Sequence, residues 1–220
     1  MNVLIFGASG MVGQGALREC LGDPSVTAVT IVVRSPTGQS HAKLREVILQ
    51  DLNAIGTIAA DLTGFDACFF TVGVTSVGLS EADYTRLTYD LTLTVAGALA
   101  PLNPQMTFLY VTGQGADSSE KGRIMWARVK GRTENALRRL PFKAAYAFRP
   151  AAIQPLHGIR SKTGWYQALY SATMPLYPLL LRLFPGYVTT TEQLGKAMIA
   201  VARNGYAKPV LESSDINTVV

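Results

Sequence analysis

The chain has 220 residues, of which 48% are hydrophobic and 16% charged. This composition excludes an intrinsically disordered protein and predicts one domain with a substantial core. The two cysteines, Cys20 and Cys68, lie in apolar stretches without C-x-x-C spacing. They are expected to be reduced core thiols, and no metal site is predicted. An apolar run opens the chain and no signal peptide is recognisable, which favours a cytoplasmic protein.

The net charge of +5 is unevenly distributed. Residues 1–120 hold 5 basic and 11 acidic side chains, whereas residues 121–220 hold 15 basic and 4 acidic ones. The basic cluster between Lys121 and Arg149 would suit a nucleic acid, or it is a solvated helix face that helps to attract an anionic cofactor. We favour the second interpretation, with no nucleic acid as a partner, because no interleaved aromatic platform or known nucleic-acid motif accompanies the cluster.

The N-terminal stretch combines a buried strand, a glycine turn and the start of a helix. Val3 to Phe6 is a continuous apolar run, and helical spacing begins at Met11. Between them, Gly7 permits a sharp turn, Gly10 a close approach to a pyrophosphate, and Gly13 tight packing of helix on strand. An ordinary α/β turn would show the same spacing, but in this context the motif predicts dinucleotide binding at the helix N-terminus. The expected cofactor-binding residues here are Gly7, Ser9, Gly10, Met11, Val12 and Gly13.

The second strand, Ala28 to Val33, ends at Arg34. In NAD-binding sites an acidic residue, about 20 residues after the glycine turn, binds the ribose 2′-hydroxyl. A guanidinium can instead hold a 2′-phosphate through two parallel hydrogen bonds, and Lys43 and Arg45 could add to the same pocket. NADP(H) is therefore predicted in preference to NAD(H); the alternative is a surface arginine at a strand end.

Two further strands would end at the same edge of the sheet. Val47 to Leu49 is a short third strand followed by Asp51, which could be the N-cap of the next segment. Phe65 to Thr71 is a fourth strand that runs into Val72 and Gly73, where a glycine leaves room for the adenosine ribose and diphosphate.

Strands and helices continue to alternate up to Pro150. Pro101 and Pro104 would stop a long helix whose apolar stripe belongs to the core or to a homodimer face. The remaining elements are a helix at Glu81 to Ala100, a strand at Thr107 to Val111, a helix at Ile124 to Leu140 and a strand at Ala144 to Phe148. This α/β alternation predicts a Rossmann-type doubly wound parallel sheet with its ligand over the carboxyl ends of the strands.

We expect residues 1–150 to form the cofactor-binding core and residues 151–220 a substrate or lid segment packed on the same domain. Ala151 to Gly164 resembles a loop, Thr190 to Ala202 a helix, and Pro209 to Leu211 a last strand. The apolar stretch from Trp165 to Phe184 is interrupted by prolines, so we predict no membrane span. A lid or an oligomer contact is favoured there; an amphipathic helix resting on a bilayer is the alternative.

Several motifs together resemble one family. They are the glycine turn, V-G-V-T at Val72, V-T-G-Q-G-A-D at Val111, K-G-R-T-E at Lys130 and F-R-P at Phe148. The chain resembles the HTATIP2-related branch of the atypical short-chain dehydrogenase/reductase family, whose bacterial members are described as NAD(P)-binding or epimerase/dehydratase-like. That resemblance implies an oxidoreductase acting on a small carbonyl compound or alcohol. It also implies that Asp51 accepts a hydrogen bond from the adenine amino group and that Leu52 packs on the ring.

The catalytic unit of the superfamily is Y-x-x-x-K together with a serine or threonine. By resemblance, Lys130 is the lysine that holds the nicotinamide ribose, and Thr112 is the nearest candidate for the hydroxyl beside the substrate. Trp126 stands where tyrosine is usual. An indole N–H is a donor only and does not ionise near neutral pH, so Trp126 cannot be a general acid or base.

Three explanations of this replacement stay open. Tyr166, Tyr170 or water could supply the proton, hydride transfer could need no protein donor, or the protein could bind NADP(H) without turnover. His41 and His157 are expected to be loop residues. The sequence therefore predicts an NADP(H)-binding oxidoreductase with a small-molecule substrate; the alternative is a catalytically impaired NADP(H) sensor or regulatory protein.

Overall fold

A seven-stranded sheet organises the computed structural model, which describes residues 1–159 and 186–219. The strand order is β3-β2-β1-β4-β5-β6-β9 and every pairing is parallel. Two further strands, β7 and β8, form a separate parallel pair. The strands are β1 Asn2–Phe6, β2 Ala28–Val33, β3 Leu44–Ile48, β4 Ala67–Phe70, β5 Thr107–Val111, β6 Ala144–Arg149, β7 Ala152–Gln154, β8 Val188–Thr190 and β9 Val210–Glu212.

Helices follow most strands and lie on both faces of the sheet. They are α1 Met11–Gly22, α2 Glu81–Thr85, α3 Leu91–Leu102, α4 Met125–Leu137, α5 Thr191–Asn204 and α6 Ser213–Thr218; a 3₁₀ segment spans Leu52–Leu62, and a π-helical turn, Arg86–Asp90, joins α2 to α3. Parallel strands with helical crossovers on both faces confirm the predicted Rossmann-type fold.

The buried strand β1 divides the core into two layers. Val3 and Ile5 point to the layer formed with α1 and α5, whereas Leu4 and Phe6 point to the layer formed with α3 and the 3₁₀ segment. All four side chains are fully buried. Successive side chains of a strand alternate between faces, so only an uninterrupted apolar run satisfies both layers.

The helix predicted for Glu81 to Ala100 is not one continuous α-helix in the structure. Its five residues Arg86–Asp90 form a wider π turn, and the ring of Tyr89 in that turn lies 4.0 Å from the guanidinium carbon of Arg132 on α4. The helix ends at Leu102, just past Pro101, and the N–H of Asn103 donates to the carbonyl of Leu99. Pro101, predicted to stop the helix, therefore lies inside its last turn, where it cannot donate the helical hydrogen bond and its ring crowds the carbonyl four residues earlier.

The C-terminal segment also departs from the prediction. The expected loop after Ala151 contains β7, and Thr190 is the N-cap of α5, with its hydroxyl accepting a hydrogen bond from Gln193 N–H at 2.9 Å. Strand β9 lies beside β6, so this segment completes the main sheet. The apolar stretch from Trp165 to Phe184 lies outside the described residues. Within residues 1–159 and 186–219, no helix combines the length and the apolar character that a membrane span requires.

Candidate active site

The strand order creates a crevice at the carboxyl edge of the sheet. β1 lies between β2 and β4, and the chain connects outward to β2 on one side and to β4 and β5 on the other. Such a reversal of strand order separates the loops that follow the two neighbouring strands, and ligands of open α/β sheets bind there.

The turn after β1 needs glycine at two positions. Gly7 has φ +84°, and a Cβ on it would lie 2.6 Å from Thr71 Oγ1 and 2.9 Å from the backbone nitrogen of Val72. A Cβ on Gly13 would lie 2.1 Å from the carbonyl oxygen of Gly7. Any side chain at either position would push the first turn of α1 away from β1 and β4.

This tight turn leaves the N-terminus of α1 open. The N-cap is Gly10, which has no side chain to accept a hydrogen bond, and no acidic residue lies in the first turn. The Gln14 side chain donates to the carbonyl of Ser9 at 3.1 Å. Among the described residues, no side chain accepts a hydrogen bond from the first-turn N–H groups of Met11 and Val12. Free N–H groups and the helix dipole together favour an anion, so this cradle fits a dinucleotide diphosphate.

The structure separates the cations predicted for one pocket. Arg34 follows β2 directly, is exposed, and makes no hydrogen bond or ion pair with the described residues. Lys43 instead precedes β3 and donates to the carbonyl oxygen of Asp23 at 2.7 Å, which places it toward the amino edge of the sheet. Arg45 is paired with Asp61. The suggestion that Lys43 and Arg45 assist Arg34 is therefore wrong, because both already have partners away from the cradle.

The neighbouring loop begins with Asp51, the N-cap of the 3₁₀ segment. Its carboxylate accepts hydrogen bonds from the backbone and side chain of Asn53 at 2.9 and 2.8 Å. Leu52 is half-buried against the core. After β4, Val72 is half-buried and Gly73 exposed, with no atom within 4 Å of a Cβ built on Gly73. These residues border the crevice and keep open space beside it.

Lys130 on α4 approaches the chain where β5 ends, one residue after Thr112. Thr112 is buried; its N–H donates to the carbonyl of Phe148 at 2.8 Å, but its Oγ1 has no partner among the described residues. Half-buried Lys130 places Nζ 3.8 Å from the position of a Cβ on Gly113. Removal from water lowers the pKa of Lys130 to about 8, although the Glu134 carboxylate acts in the opposite direction. A buried hydroxyl and an amine that have no hydrogen-bond partner among the described residues, both at the end of β5, are suited to a polar ligand.

Trp126 is one helical turn before Lys130 on α4. The Cη2 atom of its indole lies 3.4 Å from the position of a Cβ on Gly115, so both side chains face the loop after β5. The indole occupies space beside this loop without offering an ionisable proton. Tyr166 and Tyr170, the phenols named as alternative proton donors, lie outside the described residues.

Sequence reasoning missed two features that support this region. Gly131 is so close to the loop that a Cβ on it would lie 1.8 Å from the carbonyl oxygen of Asp117. Glu134, 2% exposed, accepts hydrogen bonds from Arg149 Nε at 3.1 Å and from Arg149 Nη2 at 2.5 Å. The motifs K-G-R-T-E and F-R-P contained these residues, but only the packing of α4 against β6 shows that they meet.

Known proteins carry related sequences. The chain is 30% identical over 159 residues to the mitochondrial protein fmp52 of Emericella nidulans, a match that covers 69% of this chain and 66% of that protein. It is 26% identical over 155 residues to HTATIP2 of Rattus norvegicus, covering 69% of this chain and 62% of that protein. The chain is thus a sequence relative of the HTATIP2 and Fmp52 proteins. No family model matches it.

The matches cover only part of these relatives. Leucinostatins biosynthesis cluster protein T of Purpureocillium lilacinum is 30% identical over 140 residues, covering 62% of this chain and 51% of that protein. The chain thus spans about half of this relative and close to two thirds of Fmp52 and HTATIP2. The predicted cytoplasmic location is contradicted, because the Fmp52 relatives are named as mitochondrial proteins.

Solved structures share the fold at low identity. The enzyme WbmF of Bordetella bronchiseptica, solved with NAD+, superposes with a TM-score of 0.66 at 14% identity, covering 99% of this chain and 76% of that one. A short chain dehydrogenase family protein of Francisella tularensis superposes with a TM-score of 0.68 at 12% identity, covering 96% and 95%. The fold of this HTATIP2 and Fmp52 relative is therefore that of the short-chain dehydrogenases.

Proposed function

We propose that this chain is an NADP(H)-dependent oxidoreductase that acts on a small carbonyl compound or alcohol. The observation that carries the proposal is that Lys130 reaches the end of β5, where Thr112 lies, at the same sheet edge as the uncapped N-terminus of α1. Proteins of the same fold support a nicotinamide cofactor, since WbmF and MoeE5 were solved with NAD. When bound, such a cofactor supplies or accepts hydride at the substrate carbon.

Different residues of this chain would bind the cofactor and orient the substrate. The turn from Gly7 to Gly13 would bind the diphosphate, and Val72 and Gly73 would border the adenosine ribose. Asp51 and Leu52 would contact the adenine. On the reacting side, Lys130 would hold the nicotinamide ribose and Thr112 would orient the substrate oxygen, which would satisfy the unpartnered Oγ1. We also propose that the segment 151–220 contributes the substrate side of the site.

Cofactor binding is the first test of the proposal. Isothermal titration calorimetry of the purified chain with NADPH is expected to show saturable binding of one cofactor per chain. Turnover is then measured as NADPH oxidation with a panel of aldehydes, ketones and quinones. A chain that does not bind NADPH would contradict the proposed function.

The Arg34→Ala substitution tests the choice of cofactor. Loss of two charge-assisted hydrogen bonds to the 2′-phosphate is expected to weaken NADPH binding by about 10- to 100-fold, and NADH binding by no more than about twofold. The matched control is Arg203→Ala, which removes an exposed arginine near the end of α5. Equal losses for the two cofactors in Arg34→Ala would show that Arg34 does not recognise the 2′-phosphate.

A second function, a nucleotide-gated sensor without turnover, is favoured by one observation. The indole of Trp126 packs beside the loop where the superfamily has an ionisable phenol. This alternative predicts NADPH binding of ordinary strength together with no NADPH oxidation for any member of the substrate panel. Oxidation that is lost in Lys130→Ala would instead support the enzyme.

A further inference from the structure

The replacement of tyrosine by Trp126 leaves the proposed reaction without its usual proton source. Resting on the proposed function, we propose that Lys130 itself donates the proton to the substrate oxygen. The family role of the lysine is to hold a ribose and to assist a phenol. Here the lysine would take over the chemical step that the phenol otherwise performs.

The position of Lys130 supports its role as proton donor independently of its pKa. Lys130 is half-buried, its ammonium donates no hydrogen bond to a described residue, and Nζ lies 3.8 Å from the Cβ position of Gly113. Gly113 directly follows Thr112, whose buried Oγ1 also lacks a partner among the described residues. A substrate oxygen placed between this hydroxyl and this amine would satisfy both groups at once. The amine is therefore a proton donor already beside the expected substrate position.

Glu134, the carboxylate that acts on Lys130, is itself paired with Arg149. Glu134 follows Lys130 by four residues on α4, so the two lie on one helix face. A free carboxylate there would stabilise the ammonium, but both oxygens of Glu134 already accept from Arg149, whose Nη1 is 3.4 Å from Glu212. Burial is the larger effect and lowers the pKa of Lys130 to about 8, against the opposing effect of the Glu134 carboxylate.

Other titratable groups around this part of α4 either stay neutral or form hydrogen bonds with residues other than Lys130. Burial raises the pKa of the Tyr110 phenol on β5, which keeps it neutral. The Asp117 carboxylate in the adjoining loop accepts from Ser119 and from the N–H of Gly122. Among the described residues, the charged or titratable groups that face this part of the molecule from other elements are Glu81 and Tyr84 on α2, Tyr89 in the π turn, Tyr110 on β5, Asp117 in the loop after β5, Arg149 on β6 and Glu212 on β9. Glu134 is thus the carboxylate that acts on Lys130 directly.

The step balances with a reduced nicotinamide dinucleotide as hydride donor. Hydride forms the new C–H bond at the carbonyl carbon, and the carbonyl π electrons move to the oxygen. A proton leaves Lys130 Nζ and forms the O–H bond of the alcohol. The amine is then neutral and regains a proton from solvent, which a group titrating near pH 8 does readily.

Titration of the amine in the cofactor-free chain is the first measurement. Competitive labelling with acetic anhydride, read by mass spectrometry, is expected to give Lys130 a midpoint near pH 8. Lys196 is the internal reference, because its hydrogen bond with Glu192 raises its pKa. A Lys130 midpoint as high as that of Lys196 would overturn the proposal without reference to any substrate.

Lys130→Arg separates holding the cofactor from donating the proton. A guanidinium stays charged but does not release a proton near neutral pH. NADPH binding is expected to stay within about threefold, whereas kcat for NADPH oxidation falls by at least about 100-fold. The control is Lys143→Arg, an exposed position before β6 at the opposite edge of the sheet. Unchanged kcat in Lys130→Arg would overturn the proposal.

The pH profile of the unaltered chain provides a test that does not depend on the folding of a variant. Reduction requires protonated Lys130, so kcat is expected to be level below pH 8 and to fall about tenfold per pH unit well above it. A level profile from pH 7 to pH 10 would contradict proton donation by Lys130. Failure of the unaltered chain to bind NADPH would instead refute the proposed function itself, which distinguishes the two failures.

Discussion

Glu134→Ala is expected to lower the free energy of unfolding by about 3–5 kcal/mol. The carboxylate is 2% exposed and receives two hydrogen bonds from Arg149, whose side chain is 11% exposed. Removing it leaves a nearly buried guanidinium whose remaining partners, among the described residues, are the Ser118 hydroxyl and a long contact to Glu212. Because such a cation has lost most of its hydration, the cost exceeds that of breaking an ion pair in water. Urea unfolding followed by circular dichroism measures the change.

Two controls identify buried charge as the cause. Arg86→Ala removes one partner of the exposed Asp83–Arg86 pair, 3.0 Å apart, and is expected to cost at most about 1 kcal/mol. The double substitution of Glu134 and Arg149 by methionine removes both buried charges and is expected to recover much of the loss. If Glu134→Ala costs no more than Arg86→Ala, the pair does not stabilise α4 against β6.

Gly131→Ala is expected to destabilise the fold by about 3 kcal/mol or more and to displace the loop after β5. An added Cβ would lie 1.8 Å from the carbonyl oxygen and 2.2 Å from the carbonyl carbon of Asp117. Both obstacles are backbone atoms, so no side-chain rotation relieves the overlap. Helix α4 and the loop would have to separate, and Thr112 and Lys130 would lose their common position. Thermal unfolding and NADPH oxidation report the two effects.

Gly97→Ala is the matched control for that substitution. Gly97 also lies inside a helix, but no atom is within 4 Å of a Cβ built there. Alanine is favoured over glycine in helix interiors, so this variant is expected to gain about 0.5–1 kcal/mol. A loss of stability at position 131 together with a gain at position 97 would attribute the loss to the contact with Asp117. Equal gains at both positions would show that the added Cβ at Gly131 does not clash with Asp117.

The sequence predicted those parts of the molecule that depend on local pattern. The apolar run of β1 and the glycine turn identified the Rossmann-type sheet, because buried strands and tight turns leave a periodic signature. Asp51 was left between an adenine contact and an N-cap, and the structure shows the N-cap hydrogen bond. An adenine contact stays a prediction.

Features that depend on distant contacts were not predictable in this way. Lys43 and Arg45 are close to Arg34 in sequence, yet each side chain follows its own strand geometry to another partner. The Glu134–Arg149 pair joins α4 to β6 across 15 residues, and no periodicity reports such a pairing. The π turn at Arg86–Asp90 has a composition that also suits an α-helix.

The close contact at Gly131 affects how a substrate would be received. The loop after β5 is tied to α4 there, and also by Asp117 N–H to the carbonyl of Ala127 at 2.9 Å and by the Asn135 side chain to the carbonyl of Ser118 at 2.9 Å. These contacts form when the protein folds and do not wait for a ligand. We therefore expect ligand binding to cost little conformational entropy on this side of the crevice.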